Sequence, residues 1–209
     1  MFENSLRGRF MFLVVSIILN AVSNALTVST NMGSAIWTAS ATNLSRWLGI
    51  SLGTILFLEG VIVAFANLAF LGRFDYFRLI RNLLYILPFS YLLSGFVQVF
   101  DRLGVPGLPI YIRAILDIVG VFGIAVAVSL YQRANLIMHP NDDLPYILRY
   151  RFFHGSAVVA QWISYIPPIA IIIVSVLMTG HLYAVNFGTV WSLATQGWFI
   201  AWADRNVCA

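Results

Sequence analysis

The sequence predicts an all-α, polytopic membrane protein, and three observations carry that expectation. Phe152 to Ala203 contains no Asp, Glu, Lys or Arg, and Phe10 to Ser45 is a second uncharged tract. The composition agrees, with 60% hydrophobic residues, 10% charged residues and a mean hydropathy of +0.87, whereas soluble domains are about a quarter charged. The arginines cluster where apolar runs end. In hydrocarbon no water meets a backbone N–H or C=O, so each spanning segment should be helical and needs about 20 mostly apolar residues.

Six such segments can be drawn, over residues 10–30, 50–71, 79–100, 109–131, 155–178 and 182–203. The first follows Arg7 and Arg9 as a signal peptide would, but it outruns a signal core and no small-residue cleavage site follows, so it is expected to be a retained span. The second closes at Gly72 and holds Glu59 near its middle. The third lies between Arg78 and Arg102. The fourth carries Arg113 and Asp117 one turn apart, a spacing that lets them neutralise each other. The fifth should kink or break at Pro167-Pro168, because proline lacks the N–H and its ring crowds the preceding turn. On the sixth, Trp198 and Trp202 share a face near one end and read as interfacial anchors.

Two connections are too long to be simple turns, residues 31–49 and residues 132–154. Ala35 to Leu48 has the spacing of a short helix lying in the interface or dipping into the membrane. The other contains His139, Pro140, Asn141, Asp142 and Asp143, and its acid pair reads as a solvated loop or the cap of a short helix. A short helix is therefore expected after spans one and four.

All twelve cations are Arg. With a cytoplasmic N-terminus, nine of them fall inside and three (Arg46, Arg102 and Arg113) outside. The positive-inside rule then places both termini in the cytoplasm. This scatter at segment ends explains the net charge of +4 better than nucleic-acid binding does. A lone cysteine, Cys208, allows no disulfide within the chain, and His139, His154 and His181 are dispersed, so no metal site is expected. Phosphate-binding glycine loops, His-Glu-x-x-His and nucleophile elbows are all missing. No enzymatic activity and no cofactor are expected.

The two halves match weakly, so the single membrane domain of residues 1–209 divides into repeat 1, about 10–100, and repeat 2, about 109–203. Asn31 and Asn135 follow the first span of each half, Gly53 and Gly155 open the next, Glu59 and Gln161 lie within it, and Gly72 and Gly180 close it. Three spans per half would invert the second half, an arrangement common in transporters.

The segments Asn31-Met-Gly-Ser-Ala-Ile-Trp37, Gly49-Ile-Ser-Leu-Gly53 and Leu71-Gly72-Arg73, with second copies Ala134-Asn-Leu136 and His154-Gly-Ser156, make the chain similar to the YczE/YitT type of bacterial membrane protein. Ile36 stands where that family has Pro and Thr38 where it has Asp. In the second copy Ile137 replaces Gly, while Pro140 and Asp142 keep a Pro-x-Asp spacing. The resemblance implies a bacterial cell-membrane location and an architecture more than an activity. In format the chain also resembles the substrate-binding subunits of energy-coupling-factor vitamin transporters. That resemblance implies a vitamin-like solute, a transmembrane coupling subunit and ATPase subunits as partners, and docking through Ala21 and Ala25. The same spacing of small residues also serves ordinary close packing of helices.

Intramembrane polar groups supply the candidate solute contacts. A charged carboxylate at Glu59 would cost about 2.5–3.5 kcal/mol, so Glu59 reads either as a solute ligand or proton-coupling group, or as a protonated acid bonded to a neighbouring helix. Asn31, Gln161 and Asn186 add neutral hydrogen-bonding groups. Arg113 and Asp117 form either a structural pair or a site for a charged group. Trp37 and Trp191 could stack on a flat ring. Asn20, Asn24, Asn67, Gln98 and Gln196 read first as glue between helices. The expected function is small-solute transport, as a substrate-binding subunit or a self-contained proton-coupled carrier, with a non-transporting scaffold or regulator as the competing class.

Overall fold

The computed structural model describes residues 5–154 and 156–207, so the expected role of Gly155 lies outside the described residues, as does Cys208. The chain forms α1 (Leu6–Ser29), α2 (Ile36–Leu48), α3 (Leu52–Leu71), α4 (Tyr76–Arg102), α5 (Ile110–Ala134), α6 (Pro140–Arg151), α7 (Ala157–Ser164), α8 (Ile166–Thr179) and α9 (Phe187–Asn206). Among the described residues there is no strand. Five stretches are long and apolar enough to cross a membrane: α1, α3, α4, α5 and the α7–α8 run from Val159 to Thr179. Six were expected. The sixth segment is helical as α9, but Thr189, Ser192, Thr195, Gln196, Asp204, Arg205 and Asn206 make its 20 residues too polar to join the other five.

Local chemistry sets the helix ends. Ser51 accepts from the Thr54 N–H and Asp75 from the Arg78 N–H, each filling an orphan donor of a first turn. Gly72, Asn135 and Gly180 end α3, α5 and α8 in the left-handed conformation, and Asn31 adopts it just past α1. The fifth segment breaks at Tyr165, whose N–H turns back to the Trp162 carbonyl at 3.2 Å before Pro167 enters the next helix. Both expected short helices form, as α2 and α6. The N-terminal part of α2 does not lie on a surface: Ile36 and residues Thr38 to Asn43 are buried.

The packing is centred on α1 and α5, which cross closely because Gly120 and Gly123 leave room for Thr27 and Ser23. Helix α4 flanks α1, α9 flanks α5, and α3 lies on α4. The short helices cross over, α2 onto α8 and α6 onto α3. Ala21 and Ala25 are 0% exposed, in the cluster that includes Tyr85, Ile124 and Val128, so they present no surface on which a partner could dock. Large apolar side chains such as Ile62, Leu177 and Trp198 point outward. That surface is compatible with lipid, and so many exposed apolar groups suit a multi-pass membrane protein better than water.

Candidate functional site: a polar cavity between two short helices

A cavity of about 290 Å³ opens where the first turns of α2 and α6 meet the middles of the long helices. From α2 it takes Ala35 through Thr38, and from the start of α6 it takes His139, Asn141 and Asp142. Gln161 and Tyr165 border one side, while Ser192, Gln196 and Gly197 of α9 border another. Ile86 and Phe89 of α4 form an apolar wall.

One wall is a hydrogen-bonded chain. Thr38 Oγ1 donates to Asn24 Oδ1 at 3.0 Å, Asn24 Nδ2 to Asn20 Oδ1 at 2.8 Å, and Asn20 Nδ2 to the Tyr85 hydroxyl at 2.9 Å. The Asn20–Asn24 spacing of one turn thus acts as glue linking α1 to α2 and α4. Next to it the Tyr131 hydroxyl donates to Asp142 Oδ2, and the Tyr131 ring meets Tyr85 edge-on at 5.1 Å.

The second short helix is anchored by its own acids. Asp143, 1% exposed, receives both Arg78 Nε at 2.7 Å and Arg78 Nη2, and Asn82 Nδ2 approaches the same carboxylate at 3.4 Å. Asp142-Asp143 is therefore not a solvated loop pair; it opens α6, with one acid bordering the cavity and the other buried in an ion pair.

His139 is 7% exposed, its ring edge-on to Tyr85 and Phe89 at 5.2 and 4.9 Å. Nδ1 accepts the Asn141 N–H at 3.2 Å, which assigns the ring proton to Nε2. Burial pushes the imidazole below its ordinary value of 6.5, against the opposing pull of Asp142. The unfolded chain therefore binds a proton that the folded chain refuses, so stability present above 6.5 is lost as pH falls through and below it. Melts in detergent taken from about pH 8 down to about pH 5 should show a falling midpoint on the acid side, and His139→Gln should flatten that slope.

Two expected solute contacts, Trp37 and Gln161, border the cavity. Glu59 does not. It is 5% exposed and holds α3 to α2, with the Ser40 hydroxyl 3.0 Å from Oε1 and 3.2 Å from Oε2. Ser40 in turn lies 2.8 Å from the Trp37 carbonyl, so Glu59 stands one turn behind a cavity residue. Glu59→Gln keeps an acceptor for Ser40 and is expected to change stability little, whereas Glu59→Ala should cost about 1–3 kcal/mol; chemical denaturation of both variants would check this.

Arg113 and Asp117 do not pair with each other. Arg113 Nη1 donates to the Thr30 carbonyl at 3.0 Å, and Asp117 Oδ1 accepts from Thr30 Oγ1 at 3.1 Å, so together they grip the end of α1. Asp117 also fills the space over Gly188, where a Cβ would stand 2.1 Å from Oδ2. Asn31 forms the left-handed turn after α1. Asn186 caps α9 in a reciprocal box with Thr189. Trp191 stacks on Phe187 at 6.1 Å. These five residues sit apart from the cavity and shape the loops around it.

Asp142, Asn141, His139 and Tyr165 are cavity residues that sequence reasoning did not single out. A signal existed: Pro140-x-Asp142 stands at the start of α6 as Ile36-x-Thr38 stands at the start of α2.

Fold and cavity together define an all-α chain with five membrane-length apolar helices packed around a polar chamber. The chain belongs to DUF6198, a family of unknown function, whose model matches residues 7–205. That family carries neither of the two names the sequence resembles. No curated protein and no solved structure matches this chain.

Proposed function

We propose that this is a multi-pass protein of the bacterial cytoplasmic membrane, both termini cytoplasmic, that binds and moves a small solute through the cavity between two inverted three-span halves, α9 serving as the sixth span. The observation that carries the reading is an asymmetry. Helices α3 and α4 pack tightly, with Gly53 against Ser90 and Ser94 and Gly60 against Ile86. Their counterparts, the α7–α8 run and α9, make no comparable contact. The cavity occupies that gap, between Gln161 and Tyr165 on one side and Ser192, Gln196 and Gly197 on the other. A chamber lined from both halves and closed less well on one flank is what a carrier alternating between two states requires.

Several paired features support the two halves. Arg9 Nε donates to the Ala134 carbonyl at 2.7 Å at the end of α5, as Arg113 does to Thr30 at the end of α1. Asn31 and Asn135 both turn left-handed, as do Gly72 and Gly180. Each short helix crosses to the other half. Trp37 and Phe89 on the cavity wall suit a solute with a flat or apolar face, such as a vitamin-like ring compound. Because Ala21 and Ala25 are consumed internally, a self-contained carrier is favoured over a subunit docked through that face.

Purified protein in detergent should be stabilised by vitamins, sugars or amino acids that enter the cavity, by about 2.7 kcal/mol at a hundredfold excess over Kd. Uptake of the stabilising compound by proteoliposomes holding this chain alone would establish the carrier. Binding without uptake, restored by co-purified subunits, would return the partner-dependent form. If transport is proton-driven through Glu59, Glu59→Gln abolishes its dependence on a pH gradient while preserving binding.

A further inference from the structure

Resting on the solute-binding reading, we propose that the cavity recognises a small zwitterion of the amino-acid kind, its carboxylate on the open first turn of α2 and its ammonium on Asn141 and Asp142. The first three N–H groups of a helix lack partners within it; Ser5, Ser51 and Asp75 cover such groups at α1, α3 and α4, while the N-caps of α5 and α8, Pro109 and Tyr165, do not. At α2 the N-cap is Ala35, which has no side chain to offer and makes no capping bond. Ala35, Ile36, Trp37 and Thr38 border the cavity, so the uncapped first turn of a 13-residue helix brings its positive end beside a space open to a ligand. Such an end favours a carboxylate.

A second observation points the same way. His139 is 7% exposed and borders the same cavity, and with Nδ1 occupied by the Asn141 N–H its Nε2 carries a proton that no hydrogen bond uses. An unpartnered donor on a side chain this enclosed is a place for an acceptor from the ligand. Gln196 adds to the set: its Oε1 accepts from Ser192, which leaves its amide N–H groups for the cavity.

These donors would suit a plain anion, but the acceptors oppose one. Asn141 Oδ1 is buried without a partner. Asp142 uses Oδ2 for Tyr131, leaving Oδ1 unengaged at the cavity. No Arg or Lys borders the cavity to balance that carboxylate. The cavity thus offers donors at His139 and Gln196 and acceptors at Asn141 and Asp142, a set that a ligand bearing both a carboxylate and an ammonium would use. The rest of the solute then lies against Ile86, Phe89 and Trp37.

The test is a thermal-shift titration of the full chain in detergent with three matched compounds: phenylalanine, phenethylamine, which lacks the carboxylate, and 3-phenylpropionate, which lacks the ammonium. Phenylalanine should raise the melting temperature, and each truncated compound should bind at least tenfold more weakly. Ala35→Asp supplies α2 with its own cap. It should raise the melting temperature of the ligand-free protein and weaken phenylalanine binding at least tenfold, two opposite shifts that a purely structural role for Ala35 would not produce. Ala35→Ser should do the same more weakly. If phenethylamine or 3-phenylpropionate binds as tightly as phenylalanine, or if only uncharged ring compounds bind, the zwitterion assignment falls and the solute cavity stands. If amino acids, vitamins and sugars all fail to shift a folded sample, both fall.

Discussion

Replacing Gly33 by alanine is expected to destabilise the chain by about 2–6 kcal/mol, combining a left-handed backbone penalty of about 1–3 kcal/mol with a packing clash of similar size. Gly33 has φ +126°, a region side chains rarely enter, and a Cβ there would stand 2.4 Å from the Thr189 backbone nitrogen and 2.8 Å from its Oγ1. Backbone atoms cannot rotate away as a side-chain end can. The surrounding loop joins the start of α9 to the link between α1 and α2: Gly188 N–H donates to the Met32 carbonyl at 2.6 Å, and Ser34 N–H to the Ala184 carbonyl at 3.0 Å. Asn43 adds a side-chain clamp, donating to the Tyr183 carbonyl at 2.6 Å and accepting its N–H at 2.9 Å. Moving this loop would shift the first turn of α2, which borders the cavity. Gly33→Ala should therefore lower both the melting temperature and solute affinity. Gly104, also left-handed at φ +77° but with open space around it, is the control. Gly104→Ala should show the backbone penalty alone, so denaturation of the two variants side by side isolates the clash.

What the residues disclosed follows from how local each signal is. The breaks at Asn135, Gly72, Tyr165 and Gly180 depend on the conformations that Gly, Asn and Pro permit, and those are written at the position itself. The short helices α2 and α6 were legible because their connections are too long for simple turns and Ala35 to Leu48 has helical spacing. Alignment of the two halves was partly legible, because Arg9 and Arg113, Asn31 and Asn135, and Ile36 and Pro140 are each separated by 104 residues. The arginine pair was overlooked since orientation counting treats Arg as a charge near an interface, not as a donor to a distant helix end. Glu59, Arg113 and Asp117 drew attention as intramembrane charges, yet Glu59 and Asp117 meet the hydroxyls of Ser40 and Thr30, and Arg113 meets the Thr30 backbone carbonyl. Hydroxyls carry no periodic signature. His139 and Asp142 read as polar loop residues, and only the fold of α6 back onto α3 brings them beside Phe89 and Trp37.

A loss of stability of similar size is expected from Arg78→Ala. Asp143 would keep its carboxylate, 1% exposed, with only Asn82 Nδ2 at 3.4 Å to answer it. Removing one member of a buried ion pair typically costs about 3–5 kcal/mol, because the remaining charge has lost both water and partner. The bond is two-pronged, from Nε and Nη2 to the two carboxylate oxygens. Lysine preserves charge but offers a single point of contact, so Arg78→Lys should fall between wild type and alanine. The double variant Arg78→Met, Asp143→Leu removes both charges and should recover much of the loss. Its effect on solute binding is the sharper measurement. Arg78 ties α4 to the first turn of α6, whose neighbouring residues His139, Asn141 and Asp142 border the cavity. If the pair serves only to hold α6 in place, the double variant should regain affinity along with stability. Recovered stability with lost affinity would instead show that the ion pair fixes the angle at which α6 presents Asp142 to the solute.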